Sequence, residues 1–243
     1  MTPTLSKGGR AGSRGEPEKT RAAILNAALE EFAREGVAGA RTDEIARSAR
    51  VNKALLYYYF KDKEGLYSAV LEQVFSGLYS QVNAVLDRDD LGYREKILAY
   101  IETHFDYIAS SPLYPRLVQR ELMRTGKNAL SLVSRIMERH GRPVYDKLLK
   151  LIEAGSGSGD FRQVDPPQAL TSILGVIVFY FISLPAQQLM SSGDPFSPER
   201  IAVRRAAVLD FISAALFCPP KLCAPKFIPP KFIPKTLPRG KHK

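Results

Sequence analysis

The sequence is poor in the side chains from which most metal and nucleophilic sites are built, with three histidines and two cysteines in 243 residues. His104 and His140 have no second ligand three or four residues away, and His242 stands in a proline-rich tail, so no zinc spacing forms. Cys218 and Cys223 make one C-x4-C pair without a companion pair. So few cysteines, with no secretory leader, point to a reducing cytoplasm. There is no glycine-rich phosphate loop and no nucleophile motif. Positive grounds for an enzyme or a bound cofactor are therefore missing, and turnover of a bound compound would be needed to restore them. The most apolar stretch, Ile173 to Leu184, falls short of the roughly 20 residues a membrane span requires and reads as a buried helix. Alternating strand patterns are also scarce, which leaves an all-α fold. The 45% apolar content supports a real core, and the length suits one small and one larger domain.

Acidic residues are absent from the C-terminal end, and this shapes the net charge of +10. Residues 1–63 carry 12 Lys and Arg against 8 Asp and Glu, residues 64–217 carry 16 against 17, and residues 218–243 carry 7 against none. Most of the excess lies in the tail. Charge alone is thus modest support for nucleic-acid binding, which must rest on a motif.

The motif is the stretch Val51 to Lys63, VNKALLYYYFKDK. Four consecutive aromatics, Tyr57 to Phe60, sweep round a helix circumference, so some of the rings must face outward. Before them, Thr42 to Ala49 reads as a short helix with Thr42 as N-cap, acidic residues in its first turn, and Ile45, Ala46 and Ala49 on its apolar face. The apolar pattern breaks and resumes at Ala54, Leu55 and Leu56, with Asn52 suited to cap the second helix. Two short helices joined by a tight turn, with small Ala46 at the crossing and Leu56 inward, make a helix-turn-helix. Upstream, Ile24, Leu25, Ala28, Leu29 and Phe32 form one helical stripe ending at Gly36. Downstream, Lys61-Asp62-Lys63-Glu64 opens a long helix. From Thr20 to about Tyr67 the chain closely resembles the N-terminal domain of the tetracycline-repressor (TetR) family of bacterial transcription regulators.

Helix geometry and this resemblance together nominate DNA contacts. Lys53 can donate to guanine, Ala54 and Leu55 can meet a thymine methyl, and Tyr57 and Tyr58 can place hydroxyls on phosphate or rings on sugars. Thr42 and Lys63 sit where the family contacts the backbone, and the resemblance keeps Tyr59 among the contacts although Tyr59 and Phe60 also read as core rings. Two departures stand out. Arg50 occupies a turn position where the family often has Gly, which predicts a left-handed residue costing roughly 1 kcal/mol. Leu55 replaces a small hydroxyl residue, which bears on the target sequence.

Residues 1–17 form a Gly-, Ser- and Arg-rich arm expected to be disordered. Arg10, Arg14, Lys7 and Lys19 in or beside it can follow phosphates, or the arm is a solvated leader. Residues 18–78 read as the DNA-binding domain, with the motif at about 41–60, and residues 79–217 as a helical effector-binding and dimerisation domain. The bridging helix runs from Lys63 to about Asp87. Further helices follow to Pro112, through LYPRLVQRELMRTG, and through NALSLVSRIMERHGRPVYDKLLKLIEAG with a bend near Pro143. GSGSGD, Gly155 to Asp160, reads as a flexible loop. Helices at Asp165 to about Met190 and Pro198 to Phe217 close the domain. The first is apolar nearly all round and needs cover on every face, from a second copy or from the interior of a monomeric bundle.

The resemblance implies a four-helix dimer interface from the last two helices, two recognition helices roughly 34–36 Å apart on a palindrome, and repression relieved when a small molecule shifts the bridging helix. His104, Tyr107, Gln119 and Tyr180 are the candidate polar groups for a largely apolar effector. Arg116, Arg120 and Arg124 share a helix face, as an anion site or a solvated stripe. Residues 218–243 hold seven prolines and repeat Pro-Lys-Phe-Ile-Pro, which favours polyproline II. The alternative function is an interaction protein that uses this tail as a docking peptide.

Overall fold

The computed structural model describes residues 17–111, 113–122, 132, 134–190 and 193–218. The terminal arm, apart from Pro17, and nearly all of the tail, with Arg124 and Cys223, lie outside the described residues. The described chain is all-α. Among the described residues the β pairing is a single antiparallel bridge between Phe161 and Phe217.

The helical stripes found in the sequence bury as expected. Helix α1 (Pro17–Gly39) turns Ile24, Leu25, Ala28 and Phe32 inward. Two short helices, α2 (Thr42–Ser48) and α3 (Lys53–Phe60), pack beneath it, and α4 (Lys63–Leu86) leads out of this small domain into the larger one. Asp62 caps α4, its carboxylate accepting from Gly65 N at 2.7 Å. The larger domain comprises α5 (Tyr93–Ala109), α6 (Leu113–Leu122), a single π-helical turn at Met137–Gly141, α7 (Arg142–Ser158), α8 (Pro166–Ile182), the short α9 (Leu184–Met190) and α10 (Pro198–Leu216). One contiguous apolar core runs from α1 to α10. None of the described helices is long and apolar enough to cross a membrane.

Three sequence expectations are corrected, and the break in the first helix is refined. Thr42 is the first residue of α2 rather than its cap: Arg41 holds the extended N-cap position without a capping bond from its own side chain, and Glu31 of α1 accepts from Arg41 N at 3.1 Å. Helix α1 breaks at Gly36 as the sequence leads one to expect, with φ 70° and ψ 174° outside the helical range, and a last turn to Gly39 follows across this kink. GSGSGD is mostly helix, because α7 runs on to Ser158 and stops only at left-handed Gly159. Gly155 stays in the helix because the Phe161 ring packs where a Cβ would stand, and Ser156 Oγ donates to Arg162 O at 3.1 Å. Asp165 to Met190 is two helices broken at Ser183, since a proline at 185 cannot donate a helical hydrogen bond.

The two domains are tied together by α6. Tyr67 on α4 donates to the buried Glu121 carboxylate at 2.5 Å. Arg120 donates from Nε to Ala33 O at 3.1 Å and from Nη2 to Arg34 O at 2.5 Å. Those two carbonyls belong to the turn of α1 that the Gly36 kink deprives of helical partners, so a guanidinium from the larger domain closes a helix end in the smaller one.

Candidate DNA-binding surface and effector cavity

The helix-turn-helix is fixed by short-range bonds. Val51 N donates to Ala46 O at 3.0 Å and Arg50 N to Arg47 O at 3.1 Å, which folds the chain back between α2 and α3. Arg50 takes φ 56°, the left-handed conformation expected of that position. Asn52 caps α3 with its side-chain oxygen, accepting from Ala54 N at 2.9 Å. Leu56 and Phe60 anchor α3 in the core, and Arg21 lies over the Phe60 ring at 5.3 Å.

Anchored in this way, α3 turns the rest of its surface outward. Tyr58 is 79% exposed, Tyr57 42% and Leu55 40%, and Ala54 is exposed beside them. Tyr59 is half-buried against the core, edge-on to Tyr58 with ring centroids 5.3 Å apart. Thr42 Oγ1 lies 3.4 Å from Tyr57 Oη, so the start of α2 and the middle of α3 share one surface. Lys53 Nζ pairs with Asp43 at 2.8 Å, and the bond holds the Asp43 carboxyl below its ordinary range and the Lys53 ammonium above its own. Lys63 Nζ donates to Ala38 O and Ala40 O, both at 3.2 Å, which joins the start of α4 to the end of α1.

The larger domain holds a half-open cavity of about 390 Å³. Helix α4 supplies Leu78, Tyr79 and Val82, and α5 supplies Tyr100 and His104. The π-turn adds Met137, Glu138 and Gly141, α7 adds Arg142, Val144, Tyr145 and Leu148, and α8 closes it with Leu170 and Leu174. Tyr100 and His104, four residues apart on one face of α5, are both buried, with Tyr100 Oη 3.3 Å from His104 Nδ1. Burial lowers the His104 imidazole to about 4 and pushes the Tyr100 phenol far up, so both are neutral across the physiological range. Tyr79 Oη donates to Met137 Sδ at 3.4 Å and is likewise pushed up by burial.

The other three nominated effector groups are placed elsewhere. Tyr107 Oη donates to Val74 O at 2.7 Å, Tyr180 Oη donates to Pro195 O at 2.7 Å, and Gln119 is exposed on α6. None of them lines this cavity.

Comparison with known proteins decides the family. Residues 24–70 match the model described as bacterial regulatory proteins, tetR family, and residues 94–212 match that of a tetracyclin repressor-like C-terminal domain. The HTH-type transcriptional repressor SCO4008 of Streptomyces coelicolor is 33% identical over 181 residues, covering 74% of this chain and 88% of the relative. The chain belongs to the TetR family of bacterial regulatory proteins. It is thus a TetR-family transcriptional regulator rather than an enzyme. The HTH-type transcriptional activator FasR of Mycolicibacterium smegmatis is 37% identical over 111 residues, 46% of this chain and 50% of that protein. Among solved structures, the putative transcriptional regulator SCO4942 of Streptomyces coelicolor superposes with a TM-score of 0.63 at 26% identity, covering 81% of this chain and 98% of that one. Most of α1, with α2, α3 and the start of α4, lies in the TetR N-terminal match, and nearly all of α5 through most of α10 in the C-terminal match.

In this TetR-family chain the cavity was the part that residue-by-residue reading missed, because its lining comes from four helices and a π-turn. One signal was available. Tyr100 and His104 stand at helical spacing in an otherwise apolar stripe, which would have paired them ahead of Tyr107 or Gln119.

Proposed function

We propose that the chain acts as a homodimer, that α3 reads each half of a palindromic operator, and that a small molecule entering the cavity releases the repressor. The observation that carries this reading is the split of α3 into two faces. Leu56 and Phe60 are locked in the core while Ala54, Leu55, Tyr57 and Tyr58 stand outward, with half-buried Lys53 beside them, as a helix laid in a major groove requires. Lys53 can leave Asp43 for guanine O6 or N7, and Ala54 and Leu55 suit a thymine methyl. Tyr57, Tyr58 and Tyr59 on the same helix, with Thr42 and Lys63 beside it, serve as phosphate and sugar contacts.

The dimer reading is supported by two outer helix faces that lack basic residues. Helix α8 exposes Thr171, Ser172 and Gly175 with Phe179, and α10 exposes Ala206, Ala207 and Ala214 with Val203 and Phe211 around one acid, Asp210. Phe179 is 69% exposed, Val203 71% and Phe211 60%, and the space over Gly175 is open. Apolar area of this kind, interleaved with small side chains, suits close helix packing against a second copy. Release is supported by continuity: α4 starts directly after the recognition helix and its far half lines the cavity. A ligand that favours one placement of α4 biases the separation of the two recognition helices.

The test is in-vitro selection of random duplex DNA on the full-length protein at a stated salt concentration. Enrichment of a palindrome with half-sites about one helical turn apart supports the reading. Salt-sensitive binding without an enriched sequence refutes it and moves weight to the basic tail. Phe211→Asp should convert dimer to monomer in sedimentation equilibrium and weaken operator binding with it.

A further inference from the structure

We propose that the cavity takes an uncharged, predominantly apolar molecule carrying one hydroxyl or carbonyl oxygen, and that this oxygen hydrogen-bonds to His104 Nε2. The proposal deepens the effector reading above and rests on it for regulation, though not for binding. Three observations converge. The walls are hydrocarbon and aromatic, supplied by residues such as Leu78, Val82, Val144, Leu148 and Leu174. The imidazole of His104, 6% exposed, is held by Tyr100 through Nδ1, while Nε2 has no hydrogen-bonding partner among the described residues. His104 lines the cavity and Nε2 is not sealed within the core, so an oxygen entering the cavity can take that nitrogen as its partner in an otherwise apolar, low-dielectric surrounding. A hydroxyl serves either imidazole tautomer, since it both donates and accepts; a carbonyl serves the one with hydrogen on Nε2.

Charge is excluded by the third observation. The charged lining residues are Glu138 and Arg142, both exposed at the surface end of the cavity. Arg142 Nε is already held by Asp146 at 3.0 Å. The Glu138 carboxylate has no ion pair among the described residues, so the one uncompensated charge is negative and would repel an acid. Tyr79, Tyr100 and His104 are neutral, so a head group of either sign would leave water without meeting a countercharge beside them, and an amine drawn by Glu138 stays at the exposed mouth. The size is bounded too. Scaled from a 150 Å³ site that holds benzene, a 390 Å³ cavity accepts about 15 non-hydrogen atoms.

The test is calorimetric titration of the full-length protein at pH 7 with 1-decanol, decanoate and decylamine, which share one chain length. Decanol should bind about a hundredfold more tightly than decanoate, because an acid must enter protonated or leave its charge unpaired. His104→Phe should weaken decanol about tenfold, the worth of one neutral hydrogen bond, and leave the weak decanoate binding unmoved. Leu174→Trp, which fills the cavity, should abolish decanol binding while keeping the helical circular dichroism spectrum. The proposal is overturned by decanoate or decylamine binding as tightly as decanol, by an absence of decanol binding, or by decanol binding that survives Leu174→Trp. Decanol that binds as described without releasing operator DNA refutes the effector reading alone.

Discussion

The buried imidazole of His104 should make the larger domain sensitive to mild acid. At neutral pH the ring is uncharged in the folded and unfolded chain alike, and it contributes nothing to the pH dependence of stability. As pH falls below 6.5 the unfolded chain binds a proton at this site, while the folded chain resists until about pH 4 because burial penalises the imidazolium. The folded value is the lower one, so stability must fall between those two pH values and level off beneath them. The full gap corresponds to about 3 kcal/mol, of which about 2 kcal/mol falls between pH 7 and pH 5. Urea denaturation of wild type and His104→Phe at both pH values, at one fixed protomer concentration, isolates the contribution. Other carboxylates and histidines titrate alike in both proteins, so the reading is the difference of differences. Wild type should lose about 2 kcal/mol more than the variant on acidification. Equal losses in the two proteins would mean that the ring is hydrated or charged in place, and the neutral cavity would fall with it.

Further perturbations test other joints of the structure. Gly77→Ala should destabilise, because the new Cβ would stand 2.6 Å from Tyr107 Oη and would displace it from Val74 O, costing about 1 kcal/mol or more. In a Tyr107→Phe background the same substitution should become stabilising by up to about 1 kcal/mol, through helix propensity alone; a destabilising effect in both backgrounds would place the strain elsewhere. Lys53→Ala and Tyr57→Phe should each weaken binding to the selected operator in fluorescence anisotropy, Lys53→Ala by about tenfold, and unchanged affinity in both would sink the assigned contacts. Asp43→Asn, which frees Lys53 and removes a negative charge near the phosphates, should tighten the same complex, most visibly at low salt. Glu72 gives a second acid-sensitive point. Burial raises its carboxyl, but His140 at 2.6 Å and Arg139 outweigh that and hold it below its ordinary value. Its stabilising effect is therefore present above the unfolded carboxyl range and lost as pH falls through the lower folded value, and Glu72→Gln should remove that slope.

The helix-turn-helix was legible in the sequence because its determinants lie within a few residues of one another. Asn52 caps the helix that it precedes, Leu56 and Phe60 fall on one face, and Arg50 takes the left-handed turn that family resemblance assigns to its position. The cavity was not legible, since a side chain's face on its helix does not say what stands opposite. Tyr107 belongs to the same helix as His104, yet its hydroxyl reaches a carbonyl of α4 across Gly77. Tyr180 turns toward Pro195 with Arg204 over its ring at 5.4 Å. GSGSGD failed for a related reason. Its composition encodes a flexible chain, but the Phe161 ring needs the bare backbone of Gly155 to pack against, and tertiary contact overrode local preference.

The Arg120 bonds to Ala33 and Arg34 also bear on modularity. Under the proposed function the smaller domain is a DNA reader and the larger one a sensor, two parts that recombination could exchange at the helix between them. Here the reader's first helix is finished by a guanidinium that the sensor supplies, and Tyr67 at the seam reaches Glu121 beside it. A chimera cut within α4 would leave two carbonyls of α1 without their donor unless the incoming sensor carried an arginine and a glutamate at those two positions. The transferable unit is the reader together with this adjoining pair, and recombinants that keep both should retain a rigid operator-binding half where others lose it.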